Sequence, residues 1–363
     1  MTRPASQTHA PGGSSAVTVS QLTDEYRSGW DDYVRQSPDS TVYHLLGLKD
    51  AIEDEYGAKT AYLLAVNDSK RVVGVLPMVA LRFPWLTNAL VSMPYSAYGG
   101  ALANSDRVAL ALLREAESVR ASAGLGCLFT KTLRRIDFEA FTSEQIHYSM
   151  ILETNRSFEN VWRKSFTKSC RNHCNKAARL GAKVELGDDD TLLRDFYALY
   201  VDQQHRYGTP MHSIGWYRQL RRHLRHHVIF GVTYLSEKPA AAVCAFTYRN
   251  RIISSNSAQN PAFSSSGANN LLRHELIRHA CTSGIDLFDF ARSKRGSGTY
   301  HFKWSFGARP TTTYYQYALT RGQRMPSTDP SNPAFKLPAE VWKHLPRFLV
   351  RKWGPMIRKS LAT

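Results

Sequence analysis

Gly284-Ile285-Asp286-Leu287-Phe288-Asp289-Phe290-Ala291-Arg292-Ser293-Lys294-Arg295-Gly296-Ser297-Gly298-Thr299-Tyr300-His301-Phe302-Lys303-Trp304-Ser305-Phe306-Gly307 is the stretch around which the chain is organised. A glycine ends a helix, a short apolar strand follows at 285–290, and the strand runs into a loop dense with cations and glycines. Gly296 and Gly298, on either side of Ser297, let the backbone turn tightly or approach a ligand closely. Cations on a loop at the end of a rigid strand are a common way to hold an anionic substrate, although an ordinary basic hairpin loop has the same composition.

Upstream of this strand, Leu271, Leu272, Leu276, Ile277, Ala280 and Cys281 share one face of a helix that Asn269 or Asn270 opens and Gly284 closes. Three apolar runs precede it, 228–235, 240–248 and 251–258, separated by the turns Ser236-Glu237-Lys238-Pro239 and Arg249-Asn250. The same order occurs earlier. Runs 61–66 and 71–81 flank Asn67-Asp68-Ser69-Lys70, and run 89–93 leads to Tyr98-Gly99-Gly100. A helix capped by Ser105 or Asp106 then carries Val108, Leu112, Leu113, Ala116 and Val119 to Gly124, before a strand at 127–133. A helix joining two strands of one sheet is a crossover, so the last two strands of each half are expected to be parallel.

The repeated order predicts an α/β (α+β) chain of two tandem acyltransferase-like units of the GNAT type with mixed sheets. The expected boundaries are a disordered lead-in at 1–16, an N-terminal unit at 17–151, a C-terminal catalytic unit at 152–320, and a linker with a basic amphipathic tail at 321–363. In the bridge at 157–183, Phe158, Val161, Trp162 and Phe166 keep helical spacing among cations that include Arg171 and Lys176. That face either binds an anion or is simply solvated. Cys170 and Cys174 flank His173 one helical turn apart with no second pair, so no metal site is expected. The histidines of 205–227, His212 among them, read as surface and capping residues.

A net charge of +17 on 363 residues, with pI near 9.7, favours an anionic partner. Five cysteines, an odd number, read as reduced thiols and not as a disulfide framework. No run approaches the roughly 20 apolar residues of a membrane span. The expectation is work in the cytosol as a single chain, on soluble partners or at the membrane's inner surface. In the tail, Trp342, Phe348, Trp353 and Met356 alternate with Lys343, Arg347, Arg351 and Lys352, a pattern suited to an anionic membrane surface or to packing on the catalytic unit.

Several segments carry a family likeness: Tyr207-Gly208-Thr209-Pro210, Phe288-Asp289-Phe290-Ala291-Arg292-Ser293, Gly298-Thr299-Tyr300-His301-Phe302-Lys303-Trp304 and Tyr315-Gln316-Tyr317-Ala318-Leu319. With Gly74-Val75-Leu76-Pro77 and Tyr98-Gly99-Gly100, they make the chain resemble the FemAB-like proteins, tandem GNAT acyltransferases. The likeness is greatest to members associated with exosortase (PEP-CTERM) and exopolysaccharide systems. It implies transfer of an acyl or aminoacyl group, from acyl-CoA or aminoacyl-tRNA, to an amine of a peptidoglycan or exopolysaccharide precursor, with no other cofactor. By the same resemblance Lys303 matches a lysine at the catalytic centre, where its ammonium would stabilise the oxyanion of ester aminolysis. Arg292 and Lys294 would hold phosphates, and Tyr300 would relay a proton or position the amine. Tyr98, Asn269, Asn270, Arg171 and Lys176 complete the expected substrate contacts. The glycine-rich pyrophosphate turn of ordinary acyl-CoA enzymes is missing before the helix, where Pro261-Ala262-Phe263-Ser264-Ser265-Ser266-Gly267-Ala268 stands instead. The rival readings are a non-catalytic polyanion-binding module and a membrane-docking component of a polysaccharide assembly system.

Overall fold

The computed structural model describes residues 16–83, 87–322 and 333–361. The expected lead-in, apart from Ala16, and most of the expected linker lie outside them. The first part of the chain runs β1 (Val17–Gln21), α1 (Arg27–Gln36), α2 (Leu46–Tyr56), β2 (Lys59–Thr60), β3 (Leu63–Asn67), β4 (Val72–Leu76), β5 (Val79–Phe83), β6 (Thr87–Val91), β7 (Leu102–Ala103), α3 (Asp106–Ser122), β8 (Cys127–Thr132) and β9 (Thr142–Glu153). It continues through α4 (Phe158–Lys164), α5 (Lys168–Arg179), β10 (Lys183–Gly187), α6 (Asp190–Tyr207), α7 (Ile214–Leu224), β11 (Val228–Leu235), β12 (Lys238–Tyr248), β13 (Arg251–Gln259), α8 (Ala268–Thr282) and β14 (Leu287–Ser293). The last elements are α9 (Gly298–Trp304), β15 (Arg309–Leu319), α10 (Pro333–His344) and α11 (Arg347–Arg358).

Eleven strands form one mixed sheet in the order β10-β11-β12-β13-β14-β9-β15-β8-β6-β5-β2, and β1-β3-β4-β7 form a second sheet. The two expected parallel pairs are present: β6 with β8 around the crossover helix α3, and β13 with β14 around α8. The strand expected at 71–81 is in fact two. Pro77 has no N–H to give to a ladder, so β4 stays in the small sheet while β5 begins the large one. Six strands went unread in the sequence: β1, β2, β7, β9, β10 and β15. β9 and β15 lie side by side at the centre of the large sheet, β9 against β14 and β15 against β8, so the two meanders share one continuous sheet.

Three apolar clusters fill the space around the sheets. α3 packs with β3, β6 and β8 in one, and α5 and α8 pack against β12 and β14 in another. The largest joins α1 and α2 to α6, α7 and the tail through Trp30, Tyr43, Phe196 and Tyr217. The tail packs on the second half: Val350 and Trp342 are buried, and Gly354 approaches Met211 so closely that a Cβ would lie 2.2 Å from its Sδ.

The glycine-rich turn after β14 also departs from expectation. It is not an extended loop: Gly296 makes a left-handed turn, and Ser297 caps the short helix α9 by accepting from the Tyr300 amide at 3.2 Å. Likewise α8 opens at Gly267, in place of Asn269 or Asn270.

Candidate functional site

Only residues 251–253 of β13 pair with residues 287–289 of β14; beyond them the two strands splay. A bulge at Phe290 and Ala291 interrupts the β14–β9 ladder, and another at Ser255 interrupts the β12–β13 ladder. The opening between the strands is a pocket of about 440 Å³. β13 contributes Ser254 to Gln259, β14 contributes Phe290, Ala291 and Arg292, α6 contributes Gln203, Gln204 and Tyr207, and α8 contributes Asn269 and Arg273. Thr299, Phe302 and Lys303 of α9, Tyr43, the segment Tyr95 to Ala97 and Arg358 of the tail complete its walls.

The corresponding splay in the first half is occupied by its own chain. After pairing at residues 89–91 with 127–129, β6 and β8 separate around the loop that carries Tyr95 to Gly99, whose Gly99 amide donates to the Lys131 carbonyl at 2.6 Å. The side chain of Lys131, fully buried, donates to the Ser96 carbonyl at 3.0 Å. The same loop forms a wall of the second pocket, so the first half serves the second as support.

Lys303 sits at the centre of the site. Its Nζ donates to the carbonyls of Ala291 at 3.0 Å and Arg292 at 2.8 Å. An ammonium has three N–H groups, so one remains for the pocket. Burial lowers its pKa to about 7, the Asp289 carboxylate opposes the fall, and Arg273 and Arg292 add to it. The two carbonyls are presented by a strained backbone: Ala291 has φ 57°, a left-handed conformation unusual for a residue with a Cβ. Buried Asp289 holds that turn. Its Oδ1 accepts from the Ala291 amide at 2.7 Å and from Ser149 Oγ at 2.8 Å, and its Oδ2 accepts from the Tyr98 hydroxyl at 2.8 Å. Arg251 donates to the Tyr98 hydroxyl at 2.9 Å and lies 3.5 Å from the same carboxylate.

Four cations line the pocket, Arg273, Arg292, Lys303 and Arg358, and among the described residues no Asp or Glu does. Of the residues expected from sequence, Lys303, Arg292 and Asn269 meet there. Arg292 also donates to the Tyr315 hydroxyl at 3.1 Å. Tyr98 lies behind the wall, bonded to Asp289. Tyr300 is not a lining residue; its ring stacks near Trp304 and packs on the core of α5 and α8. Lys294 is exposed on the turn before α9. Asn270 turns toward α5, where its amide lies 3.8 Å from Cys170 Sγ. On α5 itself, Arg171 donates to carbonyls at the end of α4, and Lys176 holds the Ser265 carbonyl at 2.8 Å. Both therefore brace local backbone away from the pocket.

Arg273, Arg358, Asp289 and Arg251 were missed in the sequence. A signal existed for two of them: Arg273 interrupts the apolar stripe of α8, and Asp289 interrupts an apolar strand. His212 is not a surface residue. It is buried, and its Nε2 accepts from Arg358 Nε at 3.0 Å, which leaves Nδ1 to donate to the Tyr56 hydroxyl at 2.5 Å. Burial and the Arg358 charge keep this imidazole neutral.

Residues 164–304 match the acetyltransferase (GNAT) domain family. The second half therefore carries a GNAT-type domain, and the chain as a whole has a tandem GNAT fold. Its fold is that of the FemAB-like tandem proteins: FemX superposes with a TM-score of 0.64 at 12% identity, over 83% of this chain and 97% of FemX. L-PGS from Bacillus licheniformis superposes at 0.56 with 12% identity, over 90% of this chain and 98% of that one. A tandem GNAT protein from the clavulanic acid biosynthesis pathway superposes at 0.53 with 10% identity, over 85% of this chain and all (100%) of that one. No curated protein matches the chain in sequence.

Proposed function

We propose that this acyltransferase moves an aminoacyl or acyl group, from aminoacyl-tRNA or acyl-CoA, onto an amine of an anionic cell-envelope precursor of the peptidoglycan or exopolysaccharide kind. The observation that carries the proposal is a pocket with four cations and, among the described residues, no lining carboxylate, centred on a lysine already committed to two backbone carbonyls. When the acceptor amine attacks the donor carbonyl, negative charge grows on its oxygen, and the remaining N–H of the Lys303 ammonium stabilises it there. Two carbonyl anchors hold that N–H in place before the reaction, so little reorganisation accompanies the step. Arg292 and Arg358 supply the surrounding positive field for phosphates of donor or acceptor.

An envelope precursor is carried on a lipid, and the tail fits that setting. α11 buries Val350 and Gly354 and presents Phe348 (69% exposed), Trp353 (42%) and Met356 (59%) on its outer side, among exposed Arg347, Arg351, Lys352 and Lys359. That is the make-up of a helix lying on an anionic bilayer surface. No helix among the described residues is long and apolar enough to cross a membrane.

The deciding experiment incubates the purified chain with radiolabelled aminoacyl-tRNA or acyl-CoA and a cell-envelope extract. Label should pass from one donor to an envelope product with the wild type and not with Lys303→Ala. Label retained on both donors would reject the reading.

A further inference from the structure

We infer that the floor of the pocket, between β13 and the first two turns of α8, is a subsite for an oxyanion of the substrate, a carboxylate or a phosphate, held by the guanidinium of Arg273. The side chain is only 3% exposed. One of its terminal nitrogens, Nη2, donates to Ser257 Oγ. The other, Nη1, is buried and has no hydrogen-bond partner among the described residues. Nor do the described residues give Arg273 an acidic partner, which separates it from the other enclosed arginines: Arg120 pairs with Glu117 and Arg251 with Asp289.

A guanidinium enclosed without a counter-charge is costly, and replacing it with a hydrophobic side chain of similar size would ordinarily stabilise the fold. Burial pushes its pKa down to about 10, by the same loss of hydration. A second buried atom points to the same ligand site. Asn269 lies one helical turn before Arg273, lines the same pocket, and has a buried Oδ1 without a partner among the described residues; that oxygen only accepts, so it calls for an N–H or O–H of the same ligand beside the oxyanion. The planar fork of arginine matches a carboxylate or phosphate in a way that a lysine does not. Nothing in this argument uses Lys303; it rests on the acyltransferase reading only for which molecule brings the oxyanion in.

The test uses the full chain and three forms: wild type, Arg273→Met and Arg273→Lys. Thermal unfolding and tryptophan fluorescence are followed against pyrophosphate, inorganic phosphate and succinate at constant ionic strength. Wild type should bind at least one of these saturably, phosphates pointing to a phosphorylated substrate and succinate to a carboxylated one. Arg273→Met should bind it at least about tenfold more weakly, the loss of one charge-assisted hydrogen bond. Its ligand-free melting temperature should equal or exceed that of wild type, because the uncompensated charge is gone. Arg273→Lys should fold and bind with intermediate affinity. The inference is overturned by wild type that binds none of the anions saturably, or by either variant binding them as wild type does. It is also overturned if Arg273→Met melts several degrees lower without ligand, which would make Arg273 a structural residue. Failure here with label transfer still dependent on Lys303 leaves the acyl-transfer reading standing; failure of both removes both.

Discussion

The amide of Ala291 donates to the carboxylate of Asp289 at 2.7 Å, and the carbonyl of the same alanine accepts from Lys303. The carboxylate therefore acts on the lysine through a single residue of backbone. It fixes a left-handed turn that would otherwise relax, and its charge opposes the fall in the lysine pKa. Asp289→Asn should keep the turn, since an amide oxygen can still accept, but lose the charge. The limb of the kcat/KM profile that reports Lys303 should then move to lower pH. Asp289→Ala should remove both and leave Arg251 without its partner, lowering stability by roughly 3–5 kcal/mol in denaturant titration and activity with it. An unchanged pH profile in Asp289→Asn would detach the carboxylate from the lysine.

The pH dependence of the wild type follows from the lysine itself. With a pKa near 7, Lys303 is mostly charged below neutrality and mostly neutral above it. An ammonium that stabilises an oxyanion predicts kcat/KM level at low pH and falling about tenfold per unit above pH 7. The opposite slope, rising through 7, would mean that the neutral amine serves as the base that deprotonates the acceptor. Lys303→Ala should lower kcat by about 10²–10³, the usual cost of one oxyanion donor. Stability runs the opposite way: the unfolded lysine binds a proton up to its ordinary 10.5 while the folded one releases it near 7. Wild type should therefore gain stability relative to Lys303→Met as pH rises from 7 toward 10.

Much of the scaffold was legible because its segments obey simple rules. The two meander–helix–strand units, both parallel pairs and the helices closed by Gly57 and Gly208 follow from apolar period and capping glycines. β9 and β15 were not, because polar runs such as Thr142-Ser143-Glu144-Gln145 show no apolar alternation and are made strand by neighbours well over a hundred residues away. α9 was taken for loop because the short range of Gly296-Ser297-Gly298 hides a serine N-cap. Within the site, Lys303 and Arg292 were visible through the family motifs and Asn269 through its place at the start of a helix. Arg358 and the Tyr95 to Ala97 wall were not, since only folding carries the tail and the first half to the pocket of the second.

Gly267 sets where α8 begins and so where Asn269 and Arg273 face. It has φ 85°, and a Cβ there would lie 2.2 Å from the His173 carbonyl oxygen of α5. Gly267→Ala combines a left-handed backbone penalty with a clash against main chain that cannot swing aside. Stability should fall by about 2–4 kcal/mol, read as a lower denaturation midpoint. A change within a few tenths of a kcal/mol would show that α5 and α8 are less tightly opposed than the structure has them.

The tail serves two purposes that truncation would confuse, because removing α11 also removes Arg358 from the pocket and from His212. Point changes keep them apart. The triple variant Phe348→Ser, Trp353→Ser and Met356→Ser alters only side chains that face outward, so the fold and the pocket should persist, and turnover of soluble substrates should stay near that of wild type. Binding to vesicles containing phosphatidylglycerol should drop by at least about a hundredfold, since each apolar side chain buried in the interface contributes about 1.5–3 kcal/mol. Wild-type binding should also weaken with added salt and on purely phosphatidylcholine vesicles, as expected when Arg347, Arg351, Lys352 and Lys359 meet anionic headgroups. Arg358→Gln should give the converse result, retained vesicle binding with impaired turnover, because this side chain points inward to His212 and the pocket. Equal vesicle binding by wild type and the triple variant would leave the outer face of α11 without a lipid role.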